Sequence, residues 1–357
     1  MSVSWKVSWN VSRERHSPRL SVPWQSPVHA AAVLAWVFCV MLLGGVAAPA
    51  AAQTEVSAEV EAFIEEMAQK HRFRRAQLRR LFAQAQVRPS IIRAMSAPRT
   101  ARPWYEFRAL YVSTERIEGG VKFWQQHAET VGRASRVYGV PEEVIVATIG
   151  IETLYGRNTG TFKVLDALTT LAFNYPPRAE YFRRELEEYL LLAREVGFDP
   201  LFVKGSFAGA IGVPQFMPSS YRSYAVDFDR DGKRDLVGTP ADAIGSVANY
   251  YRSFGWREGE AVIVPVDAGS NTIDPALLGE IKPQLSVGEL RRRGVVPLAP
   301  VSDEMEAALF MVETESGPRY FFGLNNFYVV TRYNRSVNYA LAVVELADAL
   351  KSALKQR

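Results

Sequence analysis

Cysteine is almost absent from this chain of 357 residues, in which Cys39 is the single example. One thiol cannot form an intramolecular disulfide, and it cannot supply the repeated ligands of a cysteine-bound zinc site. Histidine is also scarce, with four residues in the whole chain. This scarcity argues against a Ser-His-Asp triad and against a metal site built from several histidines. The chemistry of this protein must therefore rest on carboxylates, amides and hydroxyls.

A long hydrophobic run is missing as well. The apolar stretch near the N-terminus, residues 29–43, is shorter than the roughly 20 residues that cross a bilayer as a helix. Basic residues precede it and three alanines, residues 50–52, follow it, as in a secretory signal peptide. We therefore predict that residues 1–52 are a leader for export to the periplasm; the alternative is an uncleaved anchor that keeps the protein at the membrane. Because the bulky residues 36–38 precede Cys39, we exclude a lipidated cysteine.

An excess of one charge sign is missing once this leader is set aside. Residues 1–52 contain four of the 42 Lys and Arg residues and one of the 38 acidic residues, which leaves 38 and 37. The leader also contains Cys39 and two of the four histidines, so the mature chain has no cysteine and keeps only His71 and His127. A nearly neutral chain gives no support to nucleic acid as a partner.

Helical periodicity dominates the rest of the chain. Apolar residues recur every three or four positions, and the strongest helical segments are residues 55–85, 118–138, 178–196, 241–254 and 337–354. From residue 257 the pattern changes to short Val- and Ile-rich stretches separated by prolines, which is typical of short strands, and residues 307–333 alternate as in a hairpin. The sequence therefore predicts a mainly α protein of the α+β class.

We predict four parts after the leader. The first is an α domain at residues 53–140, near which the helix at 337–354 packs. A second helical part follows at 141–256, and a small inserted β subdomain follows at 257–302. A hairpin and a helix at 303–357 then complete a cleft.

Glu152 carries the strongest chemical signal in the sequence. It ends a helical run, residues 144–151, whose side chains are almost all apolar. Desolvation raises the pKa of a carboxyl group, so Glu152 can hold a proton near neutral pH and act as a general acid on an ether-like oxygen. The alternative is a helix-end carboxylate paired with Arg157. The glycine-rich segment 205–220, which carries amides and hydroxyls, offers neutral hydrogen bonds suited to a sugar.

Residues 227–235, with the sequence DFDRDGKRD, match the first nine positions of a calcium loop. Asp227, Asp229 and Asp231 stand at ligand positions, and the backbone carbonyl of Lys233 stands at the next one. Three aspartates within five residues repel one another without a cation, which favours calcium. The usual glutamate is replaced by Gly238, so a solvated acidic turn is the alternative.

Seven motifs occur in the order in which one enzyme family carries them. They are ETLYGR (152–157), NYPPRAEYF (174–182), GSFAGA (205–210), QFMPSS (215–220), DAIGSVANY (242–250), NFY (326–328) and TRYN (331–334). Together they resemble the MltB-type lytic murein transglycosylases, and the resemblance covers about residues 55–352. It implies that residues 141–256, with the calcium-type loop at 227–242, form a lysozyme-like catalytic core flanked by an α domain and a small β domain.

The resemblance also implies an activity and a set of residues. The enzyme would cleave the β-1,4 bond between N-acetylmuramic acid (MurNAc) and N-acetylglucosamine (GlcNAc) without water, leaving a 1,6-anhydro end, with Glu152 as the single acid/base. Asp242 would complete the calcium site, with calcium structural and no cofactor needed for catalysis. The saccharide would be bound by further matched positions, with Tyr333 or Asn334 also holding Glu152 in place; these positions are Arg178, Ser206, Gln215, Tyr250, Tyr333, Asn334 and Tyr339.

Other functions fit part of the pattern. A hydrolytic muramidase would share the fold, a non-catalytic peptidoglycan-binding scaffold would keep the cleft, and a calcium sensor would use the loop at 227–242. The expected partners are peptidoglycan glycan strands, with cell-wall synthases as a candidate class of protein partner, and we expect a monomer.

Overall fold

The computed structural model describes residues 57–96, 102–267 and 273–356. The predicted leader, with Cys39, lies outside these residues. In chain order the described part contains fourteen α-helices: α1 Ala58–His71, α2 Arg75–Phe82, α3 Pro89–Ser96, α4 Trp104–Tyr111, α5 Thr114–Gln126, α6 Ala128–Tyr138, α7 Glu142–Thr153, α8 Val164–Asn174, α9 Ala179–Val196, α10 Pro218–Tyr224, α11 Pro240–Ser253, α12 Val287–Arg292, α13 Asn325–Tyr333 and α14 Val337–Lys355. Its strands are β1 Phe162–Lys163, β2 Lys204–Gly205, β3 Ile263–Asp267, β4 Leu285–Ser286, β5 Val296–Pro297, β6 Glu306–Thr314 and β7 Gly317–Gly323.

Helix ends follow local sequence signals. The hydroxyls of Ser57, Ser113 and Ser336 each accept a backbone N–H from the first turn of α1, α5 and α14. Gly139 and Gly197 end α6 and α9 in the left-handed conformation that glycine adopts without steric cost. The prediction of a single helix at 118–138 is wrong. Residue 127 does not have helical geometry, so the segment forms two helices, α5 and α6.

Helix α7 lies at the centre of the protein. Every residue from 144 to 151 is buried, so the helix is apolar on all sides and has no solvent face. Helices α5, α6, α11 and α14 pack around it, while α8 and α9 pack against each other. The functional helix is therefore held by elements from both ends of the chain.

A five-stranded antiparallel sheet, in the order β4-β6-β7-β3-β5, forms the β part. Val264, Leu309, Phe322 and Leu290 belong to its own small core. The predicted boundary at residue 302 cuts through this sheet, because β7 pairs with β3 and β6 pairs with β7.

The hairpin prediction at 307–333 is right for β6 and β7 but wrong beyond them. Residues 325–333 form α13, which buries Phe327 and Val330 three positions apart on one helical face. With these corrections, the mainly α architecture with a β-sheet agrees with the fold class predicted from the sequence. Among the described residues, the helices are either too short or too polar to cross a bilayer.

Candidate active site

Glu152 is the penultimate residue of α7, and the chain turns sharply after it. Leu154 and Tyr155 both adopt the left-handed conformation, with φ of 52° and 62°. The N–H of Leu154 donates to the carbonyl of Gly150 at 3.1 Å, which closes the last turn of the helix. Left-handed backbone at a residue other than glycine costs of order 1 kcal/mol and is found where a site requires it. The strain therefore coincides with the end of the helix that presents Glu152.

Packing against α5 holds this strained turn in place. The Tyr155 hydroxyl donates to the carbonyl of Arg116 at 2.7 Å. A Cβ added to Gly120 or Gly150 would lie only 2.3 or 2.4 Å from the same hydroxyl oxygen, so both positions need glycine. On the other side, the Thr153 hydroxyl donates to the carbonyl of Val213 at 2.8 Å. The end of α7 is thus fixed to α5 and to the glycine-rich segment 205–220.

The Glu152 carboxyl receives a hydrogen bond from the far end of the chain. The hydroxyl of Tyr339, in the first turn of α14, donates to Glu152 Oε1 at 2.5 Å. Tyr339 is buried, whereas Glu152 keeps part of its surface exposed. The residue is therefore largely enclosed by protein but not fully closed off from solvent.

The surroundings of Glu152 change its proton affinity. Burial raises the pKa of the Glu152 carboxyl from 4.5 to about 7, and the Tyr339 hydrogen bond and the positive charge of Arg116 act in the opposite direction. Arg116 also donates to the carbonyl of Gly150, two residues before Glu152. Near neutral pH the carboxyl therefore exists in both protonation states, as an acid that later acts as a base requires.

The alternative pairing of Glu152 with Arg157 is not the one adopted. Arg157 Nη2 lies 3.3 Å from Glu115 Oε1, and both side chains of this pair are exposed. Arg157 therefore takes part in a surface ion pair, and Glu152 stays bound to Tyr339.

Three tyrosines predicted to bind substrate lie together beside Glu152. The Tyr333 ring is 4.7 Å from that of Tyr250 and 6.4 Å from that of Tyr339, centroid to centroid. The Tyr333 hydroxyl donates to the carbonyl of Pro214 at 2.6 Å, and the Tyr250 hydroxyl donates to a backbone carbonyl at 2.7 Å. The hydroxyls of both phenols are thus engaged with the backbone; the Tyr250 ring is buried, whereas Tyr333 is partly buried.

The prediction that Tyr333 or Asn334 holds Glu152 is therefore wrong. Tyr339 makes that contact, because the turn between α13 and α14 brings the start of α14 above the end of α7. Asn334 follows α13 and is exposed.

Ser206 and Gln215 shape the glycine-rich segment. The Ser206 hydroxyl accepts the N–H groups of Ala208 and Ala210 at 3.3 and 3.0 Å. Gln215 has φ of 51°, and its amide donates to the carbonyls of Thr159 and Gly212 at 3.0 and 2.9 Å. Both side chains are half-buried, so they fix the loop while keeping surface for a ligand.

Arg178 immediately precedes α9 and is exposed. Its guanidinium carbon lies 4.4 Å from the centre of the Tyr181 ring and 5.2 Å from that of Phe182. This stacking orients the cation at the surface. Its assignment as a cleft wall stays a prediction.

The three fully buried carboxylates of the described residues, Asp166, Glu185 and Asp242, are committed to structure. Asp166 accepts the backbone N–H of Gln86 at 3.0 Å, and Glu185 accepts that of Ser219 at 3.0 Å. Asp242 accepts two backbone N–H groups, at 2.7 and 2.8 Å. A carboxylate that already satisfies backbone donors is poorly suited to act as a nucleophile or to activate water. Asp166 is therefore a structural residue.

The predicted calcium loop brings three of its carboxylates together. Oxygen atoms of Asp227, Asp229 and Asp242 lie within 4.8 Å of one another. Asp231 is outside this group, and its Oδ1 accepts the backbone N–H of Lys233 at 2.8 Å. The geometry of the described residues thus supports three members of the predicted ligand set and shows a turn-forming role for Asp231.

Sequence reasoning missed Arg116, Tyr155 and Thr153 as residues that position the site. Arg116 lies 36 positions before Glu152 and has no local signal that connects the two. Tyr155 and Thr153 belong to the ETLYGR motif, and their place directly after Glu152 was the signal that could have identified them.

Known proteins resemble this chain along most of its length. The model of the family described as Transglycosylase SLT domain matches residues 55–348. Membrane-bound lytic murein transglycosylase B of Escherichia coli (strain K12) is 44% identical over 304 residues, which cover 82% of this chain and 83% of that relative. The structure of catenated lytic transglycosylase SltB1 from Pseudomonas aeruginosa superposes with a TM-score of 0.80 at 46% identity, covering 84% of this chain and 99% of that one. The Escherichia coli lytic transglycosylase Slt35 in complex with calcium gives 0.77 at 44% identity, with 84% and 94% covered.

Proposed function

This chain belongs to the Transglycosylase SLT domain family, and we propose that Glu152 is the single acid/base with which it cleaves peptidoglycan. The protein is a lytic transglycosylase, an enzyme that breaks the MurNAc–GlcNAc β-1,4 bond without water. The observation that carries the role of Glu152 is its half-buried carboxyl, with a pKa of about 7 and a hydrogen bond from Tyr339.

In the first step, protonated Glu152 gives its proton to the oxygen that bridges the two sugars. The bond between that oxygen and C1 of MurNAc breaks, and positive charge develops at C1. We infer that the carbonyl oxygen of the substrate's own N-acetyl group shields this charge, which removes the need for an enzyme nucleophile. Glu152 is then a carboxylate, which the Tyr339 hydroxyl stabilises by donating to it.

In the second step, the C6 hydroxyl of the same MurNAc attacks C1. The Glu152 carboxylate takes the hydroxyl proton, and the new bond between O6 and C1 closes the 1,6-anhydro ring. The proton count balances, because Glu152 ends as it began. A carboxyl group whose pKa is near 7 suits both halves of this cycle. It is a strong enough acid to protonate the bridging oxygen, and its carboxylate is a strong enough base to take the proton of the C6 hydroxyl.

The hydrolytic alternative usually requires a second carboxylate, either to attack C1 or to activate water. Among the described residues, the charged group that acts on Glu152 is the cation Arg116, and the other buried carboxylates accept backbone hydrogen bonds. This arrangement favours the transglycosylase reaction over hydrolysis.

The saccharide would lie against the surface formed by the glycine-rich segment and the tyrosines. We assign Ser206 and Gln215 to polar contacts from this segment, and the rings of Tyr250 and Tyr333 to the wall behind Glu152. Arg178 and Asn334 are exposed and stand as candidates for outer contacts. Tyr339 is better described as a positioning residue, because its hydroxyl is used by Glu152.

We also propose a structural calcium ion held by Asp227, Asp229 and Asp242. Three carboxylates within 4.8 Å repel one another, and hard oxygen ligands of this kind suit calcium. A related enzyme, Slt35, has been solved in complex with calcium. The ion would join the loop at 227–235 to the start of α11. The carbonyl of Lys233 stays a prediction from the sequence, and we assign the Asp231 carboxylate to the turn instead of the ion, because its Oδ1 accepts the Lys233 N–H.

Export is part of the same proposal, because the substrate lies outside the cytoplasm. We propose that residues 1–52 direct the chain to the periplasm; the relative from Escherichia coli carries the name membrane-bound. Binding to cell-wall synthases and a monomeric state stay predictions from the sequence.

The mass of the product tests the proposed reaction. Purified enzyme is incubated with isolated peptidoglycan sacculi, and the released muropeptides are analysed by mass spectrometry. Products one water lighter than the reducing muropeptides support the transglycosylase reaction. Reducing ends, formed with oxygen from isotopically labelled water, would identify a muramidase instead.

A further inference from the structure

A second concave site lies away from Glu152. A cavity of about 650 Å³ opens between the turn that joins α1 to α2, helix α2 itself, and the C-terminal end of α9. Its floor is apolar and includes Leu78, Leu190 and Ala193, which are buried, and Leu81 and Leu201, which are partly buried. A recess of this volume is within the range of small-ligand sites.

The rim of this cavity is strongly basic. Arg72, Arg74, Arg80 and Arg194 line it, and the one acidic residue of the lining is Asp199. The Asp199 carboxylate accepts the backbone N–H of Leu201 at 2.9 Å, so it is already used in a turn. The cavity thus combines an apolar floor with four guanidinium groups.

The cavity arginines differ from Arg75 and Arg79, two arginines of α2 that do not line the cavity. Arg75 and Arg79 of α2 form ion pairs with Glu65 and Glu61 of α1, with N–O distances of 2.6 and 2.8 Å. Within the described part of the chain, the arginines at positions 72, 74 and 80 form no ion pair. One side of α2 is therefore neutralised by α1, while the side facing the cavity keeps its positive charge.

The lining of the cavity includes neither Glu152 nor the residues that contact it. Helix α9 has 18 residues, which is about 27 Å at 1.5 Å per residue. Arg178, the candidate cleft wall, precedes its first turn, whereas Arg194 and Gly197 line the cavity at its other end. A ligand in the cavity would therefore be distinct from the sugar being cleaved.

We propose that this cavity binds the acidic stem peptides of peptidoglycan, holding the wall at a second point while Glu152 acts on the glycan. The proposal rests on the proposed function, which makes peptidoglycan the substrate. Stem peptides carry several free carboxylates and the small methyl groups of alanine. Guanidinium groups bind carboxylates through paired hydrogen bonds, and the apolar floor suits the methyl groups.

A recess favours a peptide over a membrane surface as the occupant. A bilayer presents its charges on a broad, nearly flat plane, so it would meet the rim and leave the apolar floor uncovered. A short peptide can enter the recess and cover both surfaces. The geometry therefore points to the peptide. The experiment must distinguish binding of the peptide from binding of anionic lipid.

The test uses the free tetrapeptide L-Ala–γ-D-Glu–meso-diaminopimelate–D-Ala, which has no glycan and is not cleaved by the enzyme. Its binding to the full protein is measured by isothermal titration calorimetry. The double variant Arg74→Gln with Arg80→Gln removes two cavity charges. The matched control, Arg75→Gln with Arg79→Gln, removes two charges from adjacent positions of α2 that do not line the cavity.

We expect saturable binding that weakens by about tenfold or more in the cavity variant and little in the control. Amidation of the peptide carboxylates should have the effect of the cavity substitutions. Absence of binding, or equal weakening in both variants, would overturn the proposal. The proposal would also be overturned if the protein binds vesicles of anionic lipid through the cavity arginines but does not bind the peptide.

This assay is independent of catalysis. If the protein forms anhydro products but the peptide does not bind, the cavity proposal fails and the proposed function stands. If the peptide binds but the product is hydrolytic, the proposed reaction fails while the second site stands.

Discussion

Tyr339 and Glu152 are 187 positions apart in the chain, yet the hydroxyl of one lies 2.5 Å from the carboxyl of the other. The bond joins the first turn of α14 to the last turn of α7. Because the central helix is apolar on all sides, this contact supplies the polar partner that the buried carboxyl needs.

Replacing Glu152 by Gln should abolish most of the activity while leaving the fold intact. Glutamine keeps the size of the side chain but can neither donate a proton to the bridging oxygen nor accept one from the C6 hydroxyl. We expect the release of anhydro-muropeptides from sacculi to fall by about a thousandfold or more. The control is Glu313→Gln, at an exposed position of β6. Substantial activity in the Glu152 variant would assign the acid to another residue.

The same substitution should change how stability depends on pH. Folding raises the pKa of Glu152 from 4.5 to about 7, so the folded chain holds this proton more tightly than the unfolded chain. Below pH 4.5 the group is protonated in both states and has no cost. As the pH rises from there through 7, the free energy of unfolding falls by up to about 3 kcal/mol.

Glu152→Gln removes this cost, because glutamine is neutral at every pH. Urea unfolding at about pH 5 and about pH 8 should show the variant gaining stability relative to the unmodified protein at the higher pH. Glu313→Gln should give parallel curves. A difference between Glu152→Gln and the unmodified protein that stays constant with pH would show that the carboxyl is not strongly desolvated.

Tyr339→Phe should raise the pKa of Glu152 further. The ring remains packed against Tyr333, but the hydroxyl that favours the carboxylate is gone. We expect kcat to fall by about tenfold or more, and the descending limb of the pH–rate profile to move to higher pH. Tyr333→Phe is the control, because that hydroxyl donates to the carbonyl of Pro214. Identical pH profiles for both variants would show that Tyr339 has only a packing role.

Calcium should stabilise the protein through the carboxylates at 227, 229 and 242. Addition of calcium should raise the melting temperature, because an ion that binds the folded state alone favours folding. Asp229→Asn should remove most of this increase. Asp231→Asn should retain most of it, because Asp231 lies outside the group of three. Equal loss in both variants would indicate a general effect of loop charge.

Gly150→Ala should destabilise the end of α7. The new methyl carbon would lie 2.4 Å from the Tyr155 hydroxyl oxygen, so the ring or the helix must move. We expect a loss of about 1–3 kcal/mol in the free energy of unfolding, accompanied by a lower kcat. Gly132→Ala in α6 is the matched control, because its methyl group would meet the flexible end of Arg136 at 3.3 Å. A loss of stability with unchanged kcat would separate the turn from catalysis.

Most of the helices could be predicted from the sequence, because the apolar spacing that indicates a helix is local. Helix α7 and the place of Glu152 at its end follow from one uninterrupted run, 144–151. The start of α14 and the extent of α9 were also predicted within about one residue. The division between α5 and α6 was missed, because residue 127 carries no glycine or proline to signal it.

Contacts between distant segments were the part that sequence spacing could not supply. The motif TRYN placed Tyr333 and Asn334 near the site, but local spacing does not show which phenol reaches the carboxyl. Tyr339 does so because Ser336 caps α14 and fixes the direction of its first turn. The boundary of the β part was misplaced for a similar reason, since strand pairing between β3 and β7 joins residues more than 50 positions apart.

The position of Tyr339 in the last helix has a consequence for incomplete molecules. A fragment that stops before α14 would still possess the acid, but it would lack both the phenol and the helix that covers α7. Such a fragment would leave the buried face of α7 open to water, and its carboxyl would return toward the acidity of an ordinary surface glutamate. The protein therefore becomes catalytically active only when the final segment of the polypeptide has folded into place.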